Sequence, residues 1–313
     1  MDRRSFVKAG LGASAAALLV PRAVLGAVPR AVPRAVENLR PAEADPIHLV
    51  AIRGGEPAAM FDRGIAAIGG MKAFVRKGQK VVIKPNIGWD VGPERAGNTN
   101  PQLVARVVEH CLQAGAKEVY VFDHTCDNPQ RCYRTSGIER AALDAGAKVA
   151  PGGSESYYQT VTVTGASTLT STKEHELILN SDVFINLPIL KSHSSTRVTV
   201  GMKNLMGNVW DRGFWHGNDV HNCIAEYAAY RKPALNIVDA YLVMKRNGPR
   251  GVSVDDVQTM KAQLISTDIV AVDAAATKLF GLDPGQVRHI TLAAEKGTGR
   301  MDLEKLNISR IAM

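Results

Sequence analysis

The stretch DVFINLPILKSHSSTRVTVGMKNLMGNVWDRGFWHGNDVH, residues 182–221, decides how the rest of the chain is read. It opens on an apolar run, Val183 to Leu187, of the kind that forms a buried strand. Pro188 ends the run, and Lys191, Ser192, His193, Ser194, Ser195, Thr196 and Arg197 follow. A segment rich in small and amide residues comes next, from Gly201 to Asn208. Trp210, Trp215, His216 and His221 close the stretch. A buried strand running into lysine, histidine, asparagine and tryptophan at this density predicts a functional site at a strand end.

Working outward, the chain alternates strand and helix from Ile47 onward. Residues 47–53 read as a strand, 57–77 as a Gly-punctuated helical region, and 81–83 as a short buried strand ending in Lys84-Pro85-Asn86. Asn100-Pro101 supplies an N-cap and a first-turn proline for a helix to about Ala114, stopped by Gly115. A strand over 118–122 ends in Asp123-His124-Thr125, and a helix runs from beyond Cys132 to about Ala145. Residues 157–179 predict antiparallel strands or a smaller β-rich inserted lobe. Beyond the quoted stretch lie a helix over 219–230, a strand over 234–238 ending in Asp239, and Leu264-Ile265 leading to Asp268, which caps a helix over 269–279. A helix over 284–295 and a strand over 308–311 complete the chain. This order predicts an α/β fold, a mostly parallel sheet covered by helices. Ligands of such sheets bind beyond the carboxyl ends of the strands. Here those ends carry Lys84 and Asn86, Asp123 and His124, Lys191 and His193, Asp239 and Asp268.

The N-terminus bears on compartment. Asp2-Arg3-Arg4-Ser5-Phe6-Val7-Lys8 resembles a twin-arginine export signal, with Asp2 before the pair and Val7 where leucine is commoner. The apolar run 9–20 has the length of a signal core and is too short to span a bilayer. Cleavage is expected after Ala27. Residues 1–27 therefore read as a twin-arginine signal peptide and 28–46 as a Pro-rich tether, with Ala-Val-Pro-Arg at 27–30 and again at 31–34; 47–313 read as the α/β domain. A periplasmic protein follows, with the twin-arginine translocase as its partner during export and no stable transmembrane span.

Removing residues 1–27, which hold Asp2 against Arg3, Arg4, Lys8 and Arg22, takes the net charge from +8 to +5. That mild excess, with no basic stripe interleaved with aromatics, favours a small anionic ligand over nucleic acid. The four cysteines form no C-x-x-C pair, so no zinc ribbon and no iron–sulfur motif is supported. Cys126 and Cys132 lie in one predicted loop and could pair in an oxidising compartment. No Walker loop, G-x-G-x-x-G, H-E-x-x-H or G-x-S-x-G is present.

The site chemistry is read from residue types. Lys84, at a buried strand end, can anchor an anion or act as a base. Lys191 can bind a carboxylate or phosphate while His193 transfers a proton near neutral pH. Lys203 and Asn204 lie between Gly201 and Gly207, where glycines permit close backbone approach to a ligand. A metal ion is conceivable from Asp123 and His216, with His124, His193 and His221 as further imidazole and carboxylate donors.

Taken together, several segments resemble the DUF362 family of uncharacterised proteins. They are Val81-Val82-Ile83-Lys84-Pro85-Asn86, Asn186-Leu187-Pro188-Ile189-Leu190-Lys191-Ser192-His193, and Gly201-Met202-Lys203-Asn204-Leu205-Met206-Gly207 with His216. Ile237-Val238-Asp239, Gly248-Pro249-Arg250-Gly251 and Ser266-Thr267-Asp268-Ile269-Val270-Ala271-Val272-Asp273 share the likeness, which covers about residues 47–300. Many members carry an added ferredoxin-like iron–sulfur module, whose cysteines this chain lacks. The ten-residue spacing of His193 and Lys203 in a Gly-rich context is also similar to that of lactate racemase-like proteins, which hold a nickel-pincer nucleotide. That likeness implies a cofactor attachment at Lys203 and acid–base work at His193. The leading expectation is a periplasmic enzyme doing acid–base chemistry on a small anionic substrate. In it His193, Lys203 and Asp239 are catalytic, and Lys84, Asn86, Lys191 and Asn204 hold the anion. The competing expectation is a non-catalytic binder or maturation factor for an anionic ligand or cofactor.

Overall fold

Alternation along the strands generates the layers. The computed structural model describes residues 46–313, so the signal peptide and all but the last residue of the tether lie outside the described residues. The first half of the domain runs β1 (Leu49–Arg53), α1 (Pro57–Ala66), β2 (Lys80–Pro85), α2 (Pro101–Gln113), β3 (Glu118–Val121), α3 (Pro129–Thr135), α4 (Ile138–Asp144) and β4 (Lys148–Val149). A hairpin of β5 (Tyr158–Thr162) and β6 (Ser171–His175) follows, then α5 (Glu176–Leu179). The quoted stretch holds β7 (Val183–Leu187), β8 (Ile189–His193), β9 (Arg197–Thr199), α6 (Gly201–Asn204), α7 (Arg212–Gly217) and the start of α8 (Val220–Tyr230). β10 (Leu235–Met244), β11 (Val257–Ser266), α9 (Ile269–Phe280), α10 (Arg288–Glu295) and β12 (Ile308–Ala312) complete it.

The main sheet has the order β12-β1-β11-β10-β7-β2-β3-β4, with β8 beside β10 and carrying β9. The run β10-β7-β2-β3-β4 is parallel throughout. β11 is antiparallel to both its neighbours, β1 and β10. The fold is therefore α/β with a mostly parallel sheet. The β-rich insertion expected over 157–179 is the β5–β6 hairpin, a separate two-stranded sheet.

Successive strand residues face opposite layers. Val81, Ile83, Val121, Ile185 and Ile237 pack with Phe61 of α1 and Val104 and Val108 of α2. Val82, Phe122, Phe184 and Val238 pack the other way, with Met202 of α6, Tyr227 of α8 and Val270 of α9. The same alternation puts Lys84, Asn186 and Asn236 on this second face, all of them buried. β2 and β7 are neighbours, yet β2 leads outward to β3 and β7 leads the opposite way to β10. Such a switch point leaves a crevice beyond the strand ends.

Several elements depart from the sequence reading. The helical region 57–77 stops at Ala66, and Gly69 and Gly70 then turn with φ of 92° and 74°. The helix after Cys132 is two helices, broken where Gly137 takes φ 74°. α10 starts at Arg288 rather than 284. Of the polar residues after Pro188, Lys191 to His193 form a strand rather than a loop, and Ser194 to Thr196 turn it into β9. Pro188 has no N–H to give the ladder, but its carbonyl accepts the Asp239 N–H at 2.8 Å, and β8 resumes alongside the second half of β10.

Candidate functional site

A cleft of about 510 Å³ opens at the crevice between the ends of β2 and β7. Eight of the nine residues singled out from the sequence line it: Lys84, Asn86, Asp123, Lys191, His193, Lys203, Asn204 and His216. β2 delivers Lys84, the loop after β3 delivers Asp123, and β8 delivers Lys191 and His193. The spacing of two between the last pair is the strand period, which puts both on one side of β8. Thr199, opposite Lys191 on β9, also lines the cleft.

The deepest part is a scaffold. Lys84 Nζ donates to the Asn204 carbonyl (2.6 Å) and Asn204 Oδ1 (2.9 Å), and pairs with Asp123 Oδ1 at 2.8 Å. All three ammonium hydrogens are thereby spent, and Lys84 has none left for a ligand. The other Asp123 oxygen accepts the Ile87 N–H at 2.7 Å. Burial lowers the Lys84 pKa, opposed by the Asp123 charge. The Asn204 amide is consumed too. Its oxygen also accepts from Asn86 Nδ2, and its nitrogen donates to the Lys84 carbonyl and to Asn186 Oδ1. Asn186 continues the chain of amides to Gly201 and Asn236. Lys84 and Asn204, expected to hold the anion, therefore hold the walls.

The flanking glycines serve that scaffold. A Cβ at Gly207 would overlap Asp123 Oδ1 and come within 2.5 Å of Lys84 Nζ. A Cβ at Gly201 would lie 2.6 Å from Asp273, whose carboxylate accepts the Gly201 and Met202 N–H groups at 2.7 and 3.0 Å. The close approach that sequence reading assigned to a ligand is made to two buried carboxylates.

Three cations remain. Lys191 Nζ donates to Asn86 Oδ1 (3.0 Å) and the Gly97 carbonyl (2.5 Å), which leaves one hydrogen. Lys203 Nζ contacts the Met206 sulfur at 2.9 Å, a weak acceptor. Arg212, which sequence reading passed over, is held by the His124 and Thr125 carbonyls at 2.8 and 2.7 Å and lines the same cleft. None of the three is ion-paired with a carboxylate among the described residues. Burial drives Lys191 down to about 7 and Lys203 down to about 8, and their positive neighbours add to both effects.

His193 is pushed down to about 2, by burial first and then by Lys203, Lys191 and other histidines. Its Nδ1 accepts the Ser195 N–H at 3.1 Å, so the neutral ring carries its proton on Nε2. It is a hydrogen-bond donor at neutral pH. His124 stacks on Trp210 with centroids 4.8 Å apart, and its Nδ1 donates to the Val209 carbonyl. His221 lies elsewhere, against His289. Asp123 and His216 share the cleft, but both oxygens of Asp123 are engaged, and no three His, Cys, Asp or Glu side chains gather as a ligand set among the described residues.

Asp239 does not join them. It is buried and accepts the Asn100 N–H (2.8 Å) and the Tyr241 N–H (3.1 Å), so it ties the start of α2 to β10. Burial raises its pKa to about 6. The catalytic place expected for it is thus taken by a structural one. Asp268 caps α9 through the Val270 and Ala271 N–H groups. Cys126 and Cys132 are free thiols, Cys126 at the cleft and Cys132 in the core.

A family model described as a domain of unknown function, DUF362, matches residues 81–278. A thylakoid-associated protein of Synechocystis sp. is 29% identical over 242 residues, 74% of this chain and 72% of that protein. Two solved structures are similar. One is the lactate racemase apoprotein from Thermoanaerobacterium thermosaccharolyticum, at a TM-score of 0.47 and 11% identity over 75% of this chain. The other is a protein from Thermotoga maritima, at 0.43 and 12% over 77%. This chain spans 57% and 60% of their respective lengths.

Proposed function

The chain belongs to the DUF362 family, and because that membership carries no named activity we propose, from the cleft itself, that it is an enzyme doing acid–base chemistry on a small anionic substrate. One observation carries the proposal. Lys191, Lys203 and Arg212 converge on one cleft with no carboxylate among the described residues to neutralise them, while the nearby Asp123 is already paired with Lys84. A substrate carboxylate or phosphate supplies the missing charge. Lys191 and Arg212, both anchored by backbone carbonyls, orient it. Lys203, held near pH 8 by burial, releases and regains a proton close to neutrality and is the acid–base group. Neutral His193 donates its Nε2–H to charge that develops on the substrate, in place of the proton-transfer role read from sequence.

The test is solvent exchange. The purified protein is incubated with small 2-hydroxy and 2-oxo acids and phosphate esters in D2O, and deuterium incorporation is followed by NMR. Incorporation that disappears in Lys203→Met supports the enzyme. Ligand binding without exchange for any compound replaces it with the non-catalytic binder. We also propose periplasmic residence through twin-arginine export, supported by Arg3-Arg4 and the apolar run behind them. Replacing both arginines by lysine should leave unprocessed precursor in the cytoplasm, and normal processing of that variant would reject the route.

A further inference from the structure

A second cavity, of about 710 Å³, adjoins the basic cleft and shares His124, Arg212 and Gly213 with it. The β5–β6 hairpin, which stands outside the main sheet, forms one wall. The Trp210 N–H donates to the Lys173 carbonyl at 2.9 Å and pins the other wall to the hairpin. Apart from Arg212 at the junction, the cavity's charged side chains are engaged locally. Lys173 pairs with Glu155, and Asp211 caps α7 through the Phe214 N–H at 3.2 Å. What remains toward the space is a set of hydroxyls, Thr160, Thr170 and Ser171, facing Trp210 and an exposed Phe214. At the junction, Gly213 contributes no side chain.

We propose that the two cavities hold one ligand, an anionic sugar, with its charged group among the cations of the cleft and its ring over Phe214 and Trp210 in the second cavity. The proposal rests on the anion-binding reading of the cleft and adds the substrate class. A lone phosphate or carboxylate would fill a small part of a cleft this size, whereas pockets of several hundred Å³ take ligands of many atoms. Hydroxyls beside aromatic faces suit a ring with polar edges and C–H faces. Away from the Arg212 junction, no cation lining the second cavity is left unpaired among the described residues, so a second carboxylate has no counter-charge there.

The experiment is calorimetric titration of the full chain with inorganic phosphate, glucose 1-phosphate, glucuronate, phenyl phosphate and glucose. The sugar ring adds at least two hydrogen bonds, so one of the two anionic sugars should bind about tenfold or more tighter than inorganic phosphate. The better of glucose 1-phosphate and glucuronate identifies the anion as phosphate or carboxylate. Phe214→Ala and Thr160→Val, both exposed and both outside the basic cleft, should remove most of that advantage and leave phosphate binding unchanged. Phenyl phosphate binding tighter than both sugars, or an advantage untouched by both variants, overturns the proposal. Phosphate binding with no gain from either sugar overturns it and leaves the anion cleft standing. Absence of binding by every anion overturns the reading beneath it as well.

Discussion

Among residues, the informative contrast is between lysines that look alike in sequence. Lys84 has three strong acceptors, Lys191 has two, and Lys203 has one sulfur. Replacing Asp123 by Asn leaves Lys84 buried without its counter-charge. That should cost about 3–5 kcal/mol in denaturant unfolding, and adding Lys84→Met should recover part of it. Lys203→Met should behave in the opposite way. The folded value near 8 lies below the free-lysine value of 10.5, so the unfolded chain binds the extra proton between those pH values. Wild-type stability from this group therefore rises as pH climbs from about 8 to 10.5, and below pH 8 the penalty is constant. Thermal melts of Lys203→Met should be no lower than wild type at pH 7 and should lose that rise, with anion binding weakened but kept by Lys191 and Arg212. A lower melt at pH 7 would make Lys203 structural. The ligand itself should feel the same titration: affinity for phosphate should fall as pH rises past about 7 and about 8, where Lys191 and Lys203 lose their protons. Calorimetry at pH 6.5 and 9 checks the sign after correction for phosphate ionisation. The residue types and strand-end positions of the site were readable in sequence. Their hydrogen-bond occupancy was not, because Asn204 reaches Lys84 from 120 residues away and is itself held by Asn186.

Elements show where local signals sufficed. Asn100-Pro101 marks α2, and the Asn100 side chain accepts from Gln102 and Leu103 N–H, so Asn100→Ala should cost about 1 kcal/mol in stability. Asp239→Ala strips the acceptor from two backbone donors, Asn100 N–H and Tyr241 N–H. It should destabilise by about 2 kcal/mol while phosphate affinity at the cleft stays the same. Loss of affinity without loss of stability would return Asp239 to the site. β8 escaped sequence reading because Pro188 and its polar followers carry loop chemistry, and what makes them a strand is β10, almost fifty residues later. The two-residue spacing of Lys191 and His193 was the available signal. α7 and its Arg212 had none, since Arg212 gains its meaning from carbonyls at His124 and Thr125.

For the molecule as a whole, the parallel run β10-β7-β2-β3-β4 forces β2 and β7 to send their continuations apart, so the crevice is a property of strand order. The alternation of strands and helices made that class of sheet legible, but the order of strands depends on pairings no local pattern encodes. The unneutralised Lys191, Lys203 and Arg212 also govern how an anion arrives. Their field extends past the mouth of the cleft by about one Debye length, roughly 8 Å in physiological salt and about 30 Å at 0.01 M. Stopped-flow association should therefore slow steeply as sodium chloride is raised, while dissociation changes little. Chloride competes for the same charges, so the protein's working selectivity is fixed by which anions outcompete the salt around it.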